Sequence, residues 1–265
     1  MIIDLMAGFV GSFVIAGLAY WKRSLSASGL TAAILLGTGM YALGSLKWYG
    51  LLIAFFVSSS FLSHRKKQEK KQVEDLFAKG GRRDWLQVAA NGGAGLVAVS
   101  AGYLTGDEAA WYAFYIGTIA AVSGDTWATE IGVLSRRAPR HILTWKKVEA
   151  GASGGVSGLG MLASLGGGLF IGFTAVMLSL FIQEPVSMRY IVAGAAGGLV
   201  GSVADSVMGA TWQRMYYCEG CRKHTERPFH CGEPTRVSKG YNWCTNDVVN
   251  VAGAIAGGWA GWLFG

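Results

Sequence analysis

The sequence predicts an all-α polytopic membrane protein, and three observations lead to this fold class. Hydrophobic residues make up 52% of the 265 residues and charged residues only 15%. Glycine occurs 40 times and proline four times, a composition too apolar and too glycine-rich for an ordinary soluble enzyme. The basic residues cluster in alternate loops between apolar segments, as membrane insertion requires. We therefore expect a single transmembrane domain over residues 1–265, located as a multi-pass protein in the cell membrane.

Apolar segments that are long enough to cross a bilayer recur along the whole chain. A helical span needs roughly 20 apolar residues, and about eight segments meet this requirement. The candidate spans are 2–20, 28–46, 48–63, 86–105, 109–134, 153–182, 189–211 and 247–264. The sixth is longer than one span needs, and its opening, "SGGVSGLG", predicts a re-entrant or broken piece that lines a cavity.

The basic residues predict the orientation of these spans. Cytoplasmic loops are enriched in Lys and Arg, and 21 of the 23 basic residues lie in the first, third, fifth and seventh loops. Only Lys47 and Arg189 fall in the other loops. We therefore place both termini outside, and a basic loop at 64–85 and a longer loop at 212–246 in the cytoplasm. Because the net charge of +7 is confined to short loops between apolar spans, it does not indicate nucleic-acid binding.

Acidic, hydroxyl and amide side chains gather at the cytoplasmic ends of the predicted spans. An ionisable group within a span is costly unless it serves a site or is paired, so this convergence predicts an active site at the cytoplasmic membrane face. The acids are Asp125, Glu130, Asp205 and Asp247. Their polar neighbours are Asn91, Thr126, Thr129, Ser202, Ser206 and Asn250. Oxygen ligands of this kind suit Mg²⁺ or Mn²⁺ rather than zinc, whereas the alternative for any one acid is a salt bridge to a loop Arg or Lys.

A glycine-serine turn before the sixth span predicts an anion-binding feature. In "GASGGVS", residues 151–157, free backbone N–H groups at a helix start attract phosphate, although glycine there also permits a tight turn or close packing. Lys146 and Lys147 precede this turn and are able to add positive charge. Carboxylates, an anion cradle and lysines at a membrane surface together indicate phosphate chemistry on a lipid-linked substrate.

A cluster of cysteine and histidine residues lies in the last predicted cytoplasmic loop. In "CEGCRKHTERPFHC", a Cys-x-x-Cys pair is followed by two histidines and a third cysteine. The cytoplasm is reducing, so disulfides are not expected. We predict a closed structural Zn²⁺ site, with free thiols as the alternative. The predicted ligands are Cys218, Cys221, His230 and Cys231. Cys244 stands at a helix start and is expected to pack.

Six motifs in the same order resemble those of an integral membrane family that includes plant phytyl-phosphate kinase. They are "QVAANGGAG", "SGDTWATEIG", "GASGGVSGLG", "GGLVGSVADSVMGATWQR", the Cys-x-x-Cys and His-Cys loop, and "NDVVN". The resemblance extends from about residue 80 to the end. The family is also distantly similar to CTP-dependent polyprenol kinases and CDP-diacylglycerol synthases, which keep magnesium-binding acids at the cytoplasmic membrane face.

The resemblance implies transfer of a phosphate from a nucleoside triphosphate, CTP in the plant member, to a prenyl monophosphate. Asp125, Glu130, Asp205 and Asp247 then form the acidic centre that binds Mg²⁺. Their polar companions are Thr126, Thr129, Ser206, Asn246 and Asn250, and Ser153, Gly154 and Gly155 meet phosphate. Arg214, Lys146 and Lys147 are candidate cations for the phosphates, and spans four to eight are expected to bury the prenyl chain.

Two further function classes use the same residue types. Another membrane lipid phosphotransferase or a cytidylyltransferase has the same parts and differs in its nucleotide product. A small-solute or cation transporter also has acids in glycine-rich spans, but transporter sites lie near the bilayer midplane, often between repeats, whereas these acids lie toward one surface. The residues therefore favour a phosphotransferase over a transporter.

Overall fold

A computed structural model describes residues 2–65, 73 and 75–265 of the chain. Seven helices have described bounds. They are α1 (Ile2–Trp21), α2 (Ala27–His64), α3 (Trp85–Thr105), α4 (Glu108–Gly132), α5 (Gly158–Phe181), α6 (Arg189–Thr211) and α7 (Asn246–Trp262). Of these, α1, α2, α5 and α6 are long and apolar enough to cross a membrane by length and composition. The chain is thus a predominantly helical membrane protein.

Short strands occupy the loops between the later helices. They are β1 (Arg140–His141), β2 (Gly155–Val156), β3 (Met215–Cys218), β4 (Lys223–Thr225), β5 (Phe229–His230), β6 (Glu233–Pro234) and β7 (Arg236–Lys239). All pairings are antiparallel: β1 with β2, β3 between β4 and β7, and β5 with β6. The loop predicted at 212–246 is therefore a small β-structure, and much of the loop predicted at 64–85 lies outside the described residues.

The helix α2 folds back on itself at Ser45. This residue has φ 68° and ψ −171°, far from helical values. Arg83 contacts both halves of α2. Its carbonyl oxygen lies against Gly29, and its guanidinium donates a hydrogen bond to Ser60 Oγ at 3.0 Å. In a straight helix residues 29 and 60 would be about 46 Å apart. The two halves of α2 therefore run side by side, and the turn lies at the boundary between the predicted spans 28–46 and 48–63.

Close glycine contacts hold α4, α5, α6 and α7 together. Residues Tyr112–Gly124 of α4 are buried without interruption. A Cβ at Gly117 would collide with the carbonyl oxygen of Gly257 in α7, and one at Gly168 in α5 with that of Gly194 in α6. Small residues at helix contacts let backbones approach, which is the usual basis of helix packing in membranes. These helices form the core that surrounds the candidate site.

The opening of the sixth predicted span is not part of its helix, and its re-entrant placement in the membrane stays a prediction. The helix α5 begins at Gly158, where Ser157 Oγ accepts a hydrogen bond from the N–H of Gly160 at 3.0 Å. The preceding Gly155 and Val156 form β2 instead. The residues before Gly158 therefore belong to the connecting loop, and the helix has 24 residues, close to the length of one span.

Candidate functional site

Four polar side chains from four helices line one pocket. Asn91 comes from α3, Asp125 from α4, Asp205 from α6 and Asn250 from α7. The glycine contacts described above bring these helices close enough for the side chains to face the same space. The sequence placed all four among the candidate site residues, and the structure brings them together. We call this space the acid pocket.

One carboxylate oxygen in the acid pocket is buried without a protein partner. Among the described residues, Asp205 Oδ2 has no hydrogen-bond donor. A buried polar atom without a partner is costly, so native proteins supply one from protein, water or an ion. Asp125 lines the same pocket and interacts electrostatically with Asp205. Two adjacent carboxylates with two amide oxygens form a set of hard oxygen ligands, which suits Mg²⁺.

Asp247 lies in the first turn of α7 and is paired with a lysine. Its Oδ2 accepts a hydrogen bond from Lys79 Nζ at 2.6 Å, and Lys79 also contacts Asp84 at 3.0 Å. Burial alone would lower the pKa of Lys79, but the hydrogen bonds and charges of Asp247 and Asp84 raise it above its ordinary value. The salt-bridge alternative considered for each acid thus applies to Asp247. Its Oδ1 is buried without a partner among the described residues.

Glu130 lies at the C-terminal end of α4 and contacts α2. Its Oε1 accepts a hydrogen bond from Ser63 Oγ at 2.5 Å, and it interacts electrostatically with Arg83. Glu130 does not line the acid pocket. Asp125, about one and a half turns earlier in the same helix, does line it. Of the four acids, Asp125 and Asp205 therefore share one pocket, whereas Asp247 and Glu130 contact neighbouring loops and helices.

Glu226 is a fifth half-buried acid, which was not among the residues predicted from the sequence. Burial raises the pKa of its carboxyl group and the charge of Asp247 adds to the increase, against hydrogen bonds from the N–H of Ala78 and from Gln213 Nε2 at 2.9 and 2.8 Å. It interacts electrostatically with both Asp125 and Asp205. No periodic pattern identifies Glu226, because it lies in the loop between β4 and β5, outside any apolar segment.

The glycine-serine turn packs against the end of α6. Ser153 Oγ lies 2.9 Å from the carbonyl oxygen of Gly209 and 2.6 Å from Gln213 Oε1. Gly154 has φ 80°, and a Cβ there would lie 2.5 Å from Ala210 Cβ. The N–H of Gly155 donates to Ala152. The tight-turn and packing alternative therefore accounts for these residues structurally, and their contact with phosphate stays a prediction.

The remaining predicted cations and polar groups differ in their surroundings. Arg214 Nε is buried without a partner among the described residues, while its guanidinium carbon lies 5.5 Å from the centre of the Tyr216 ring. Lys146 and Lys147 are exposed in the turn that precedes Gly151. Thr126 Oγ1 donates to the carbonyl oxygen of Val122. The exposed Thr129 and the half-buried Ser206 and Asn246 lie on α4, α6 and α7.

The cysteine and histidine cluster has the geometry of a metal site. Cys218, Cys221, His230 and Cys231 bring one ligand atom each to within 4.8 Å of one another. His230 Nδ1 lies 3.5 Å from Cys221 Sγ and 3.2 Å from Cys231 Sγ. Ligands on a tetrahedral zinc ion are separated by roughly 3.3–3.8 Å, so the four residues fit Zn²⁺. Cys244 is buried elsewhere, as expected for a packing residue.

Comparisons with known proteins identify the family of the chain. The chain is 34% identical over 258 residues to Protein PGR of Arabidopsis thaliana, covering 90% of this chain and 88% of that protein. It is 30% identical over 213 residues to the uncharacterized membrane protein MJ0933 of Methanocaldococcus jannaschii, covering 78% of this chain and 83% of that one. It is 27% identical over 231 residues to Protein VTE6, chloroplastic, of Arabidopsis thaliana, covering 86% of this chain and 61% of that one. No solved structure matches the chain significantly. A family model described as "Integral membrane protein DUF92" matches residues 10–258, and the chain therefore belongs to this integral membrane family.

Proposed function

We propose that the protein is a prenyl-phosphate kinase of the cell membrane. It transfers the terminal phosphate of a nucleoside triphosphate, CTP by family resemblance, to a prenyl monophosphate and releases the prenyl diphosphate and the nucleoside diphosphate. The observation that carries this proposal is the meeting of Asp125, Asp205, Asn91 and Asn250 in one pocket that contains an unpartnered carboxylate oxygen. The six family motifs and the match to VTE6 over 86% of the chain support the substrate class.

Mg²⁺ is the cofactor that this ligand set fits. Asp125 and Asp205 hold it in the acid pocket, with Asn91 and Asn250 as amide ligands or orienting groups. When bound, the ion neutralises the charge that develops on the transferring phosphate. Asp247 and Glu130 complete the proposed acidic centre, Asp247 through its second carboxylate oxygen, which has no partner among the described residues.

Basic residues in the loops that follow α4 and α6 are candidates to bind the phosphates. The buried Nε of Arg214 lacks an acceptor among the described residues, and Lys146, Lys147 and the amides of 153–155 are further candidates. The acceptor substrate needs no general base, because a phosphomonoester with a second pKa near ~6 is already largely a dianion at neutral pH. Orientation and charge neutralisation then carry the reaction.

Zn²⁺ in the cysteine and histidine cluster has a structural role in this proposal. With these four protein ligands, a Zn²⁺ ion would have no open coordination site for chemistry. The cluster ties β3 to the β5–β6 hairpin, and Glu226 lies in the same loop region, directly after β4. We therefore assign to the metal the task of fixing the loop that carries Glu226.

The eight-span arrangement with both termini outside is also part of the proposal. The turn at Ser45 divides α2 into two antiparallel halves. Lys47, beside this turn, pairs with Glu108 at 2.8 Å and Glu184 at 2.6 Å. Lys79 and Asp247 pair at the other end of the helices. Predicted outer loops thus contact outer loops, and predicted cytoplasmic loops contact cytoplasmic loops.

Identification of the products tests the proposed reaction. Purified protein is incubated with Mg²⁺, a panel of nucleoside triphosphates and a mixture of prenyl monophosphates, and the products are identified by mass spectrometry. The proposal predicts a prenyl diphosphate with the matching nucleoside diphosphate. Pyrophosphate with a nucleotide-linked lipid would show a cytidylyltransferase instead, and no product from folded protein would count against both enzymes.

A further inference from the structure

A second cavity, distinct from the acid pocket, lies among the first three helices. It lies between α1, both halves of α2 and the start of α3. Most of the side chains that line it are apolar. They include Ile15, Ala33, Leu36, Leu52, Ile53 and Phe56. We call it the apolar cavity.

The apolar cavity and the exposed surface use different residues of the same helices. Ser12 and Ala16 of α1 line the cavity and are buried, whereas Phe9 and Phe13 of the same helix are more than half exposed. On α2, Ile53 lines the cavity, whereas Val57, one turn later, does not line it and is 55% exposed. The cavity therefore begins within one turn of an exposed position on α2.

The apolar cavity and the acid pocket share a wall. Asn91 of α3 lines both spaces, and its neighbours Val88 and Gly92 line the apolar cavity. Among the described residues that line the cavity, Arg83 is the one charged residue, and it donates a hydrogen bond to Ser60. Two polar lining residues, Ser12 and Tyr49, are hydrogen-bonded to each other between α1 and α2, whereas Arg83 and Asn91 lie just before and within the first two turns of α3.

We propose that the apolar cavity binds the hydrocarbon chain of the lipid phosphate whose phosphate group lies in the acid pocket. The proposal rests on the proposed function for the identity of the phosphate group. An amphiphile with one phosphate group and one apolar chain matches an acidic pocket joined through Asn91 to an apolar cavity. The chain site is therefore formed by α1, α2 and α3, of which only α3 belongs to spans four to eight, where the sequence predicted it.

A cavity-filling substitution tests where the chain binds. Ile53→Trp places a larger side chain in the cavity, and the control Val57→Trp places the same side chain at an exposed position of the same helix that does not line the cavity. For Ile53→Trp we expect kcat/KM for long prenyl monophosphates to fall at least roughly tenfold more than for short ones, because pocket volume discriminates by apolar contact. Val57→Trp should leave the ratio unchanged. An unchanged ratio in folded Ile53→Trp protein would overturn the proposal.

A photo-crosslinking experiment gives a readout that does not depend on kinase activity. The probe is a prenyl monophosphate with a diazirine near the end of its chain, and labelled residues are mapped by mass spectrometry in the full-length protein. We expect labels on α1, α2 and α3, reduced by unlabelled prenyl monophosphate. Labels on other helices only, or equal labelling by a diazirine phosphatidylcholine that prenyl monophosphate does not displace, would refute a substrate-chain site. Labelling of the cavity without diphosphate formation would support the chain site and reject the kinase reaction.

Discussion

The partners of each acid show whether it is available to bind a metal ion or is already used in a salt bridge. Asp205 and Asp247 each have one buried oxygen without a partner among the described residues, but of the two acids Asp247 is the one that is paired with a lysine, Lys79. A buried carboxylate oxygen without a hydrogen-bond donor or a cation is energetically unfavourable, unless a bound ligand supplies the missing partner. Asp205 is therefore the residue on which the metal-binding role depends most.

Glu226 makes the stability of the protein depend on pH. Its pKa is raised above the ordinary value of 4.5 by burial and by Asp247. Between pH 4.5 and the pKa of the folded state, Glu226 is therefore mostly protonated in the folded protein and mostly ionised in the unfolded protein. The free energy of unfolding falls as pH rises through this window. Glu226→Gln lacks this proton, and Glu219→Gln, an exposed acid of the same loop, is the control.

The comparison uses thermal unfolding of detergent-solubilised protein as a function of pH. From neutral pH downward to pH 4.5, the unfolding temperature of the wild type should rise relative to that of Glu226→Gln. The difference in unfolding temperature between the wild type and Glu219→Gln should not show this trend, because Glu219→Gln removes only an exposed charge. Parallel curves for wild type and Glu226→Gln would show that Glu226 is not a titrating buried group.

At the scale of elements, the turn within α2 is formed by an unfavourable residue. Ser45 has φ 68° and ψ −171°, a region that only glycine adopts readily and that costs other residues about 1–3 kcal/mol. Ser45→Gly should therefore raise the free energy of unfolding by about 1 kcal/mol, measured as an increase in the unfolding temperature.

The control for the turn is Ser58→Gly in the second half of the same helix. Ser58 has helical surroundings and donates to the carbonyl oxygen of Phe55, so glycine there should lower stability by about 0.5–1 kcal/mol. Glycine is therefore expected to raise the free energy of unfolding at position 45 and to lower it at position 58, because α2 turns at Ser45 and is helical at Ser58. A loss of stability in both variants would contradict that shape.

The loop between α6 and α7 depends on its metal-binding cluster. We predict about one zinc ion per chain, since a tetrahedral site takes four protein ligands. Elemental analysis of purified protein measures the metal content. Cys221→Ser should lose zinc and unfold at lower temperature, whereas Cys244→Ser, a buried cysteine outside the cluster, should keep its zinc. Zinc-free wild-type protein that is stable and folded would refute the site.

At the scale of the whole molecule, the alternation of basic loops predicts the orientation in the membrane. Epitope tags at both termini should be accessible to antibody in intact cells, whereas a tag in the exposed turn at Lys146 and Lys147 should be accessible only after permeabilisation. The turn at Gln183, which lies between α5 and α6, is the matched outer position. A terminus that is reached only after permeabilisation would overturn the arrangement.

The sequence predicts the helical parts of this molecule better than its loops. Asn91, Asp125, Asp205 and Asn250 stand out because polar residues in apolar helices are rare, and the loop order places them at the same end. Glu226 and Lys79 lie in loops, where charge is ordinary and no periodicity shows what they contact. The apolar cavity was also beyond prediction, since its lining residues resemble any apolar helix face until the hairpin of α2 is known.

The measurement that tests the central claim most directly is the Mg²⁺-dependent kinase activity of Asp205→Asn. The control is Asp107→Asn, an exposed acid at the start of α4 that keeps its capping function as asparagine. Removing a charged group that stabilises the transition state typically lowers kcat by ~100-fold or more. We predict a loss of this size for Asp205→Asn with unchanged folding, and near-wild-type activity for Asp107→Asn. Full activity of Asp205→Asn would show that the acid pocket is not the site of phosphoryl transfer.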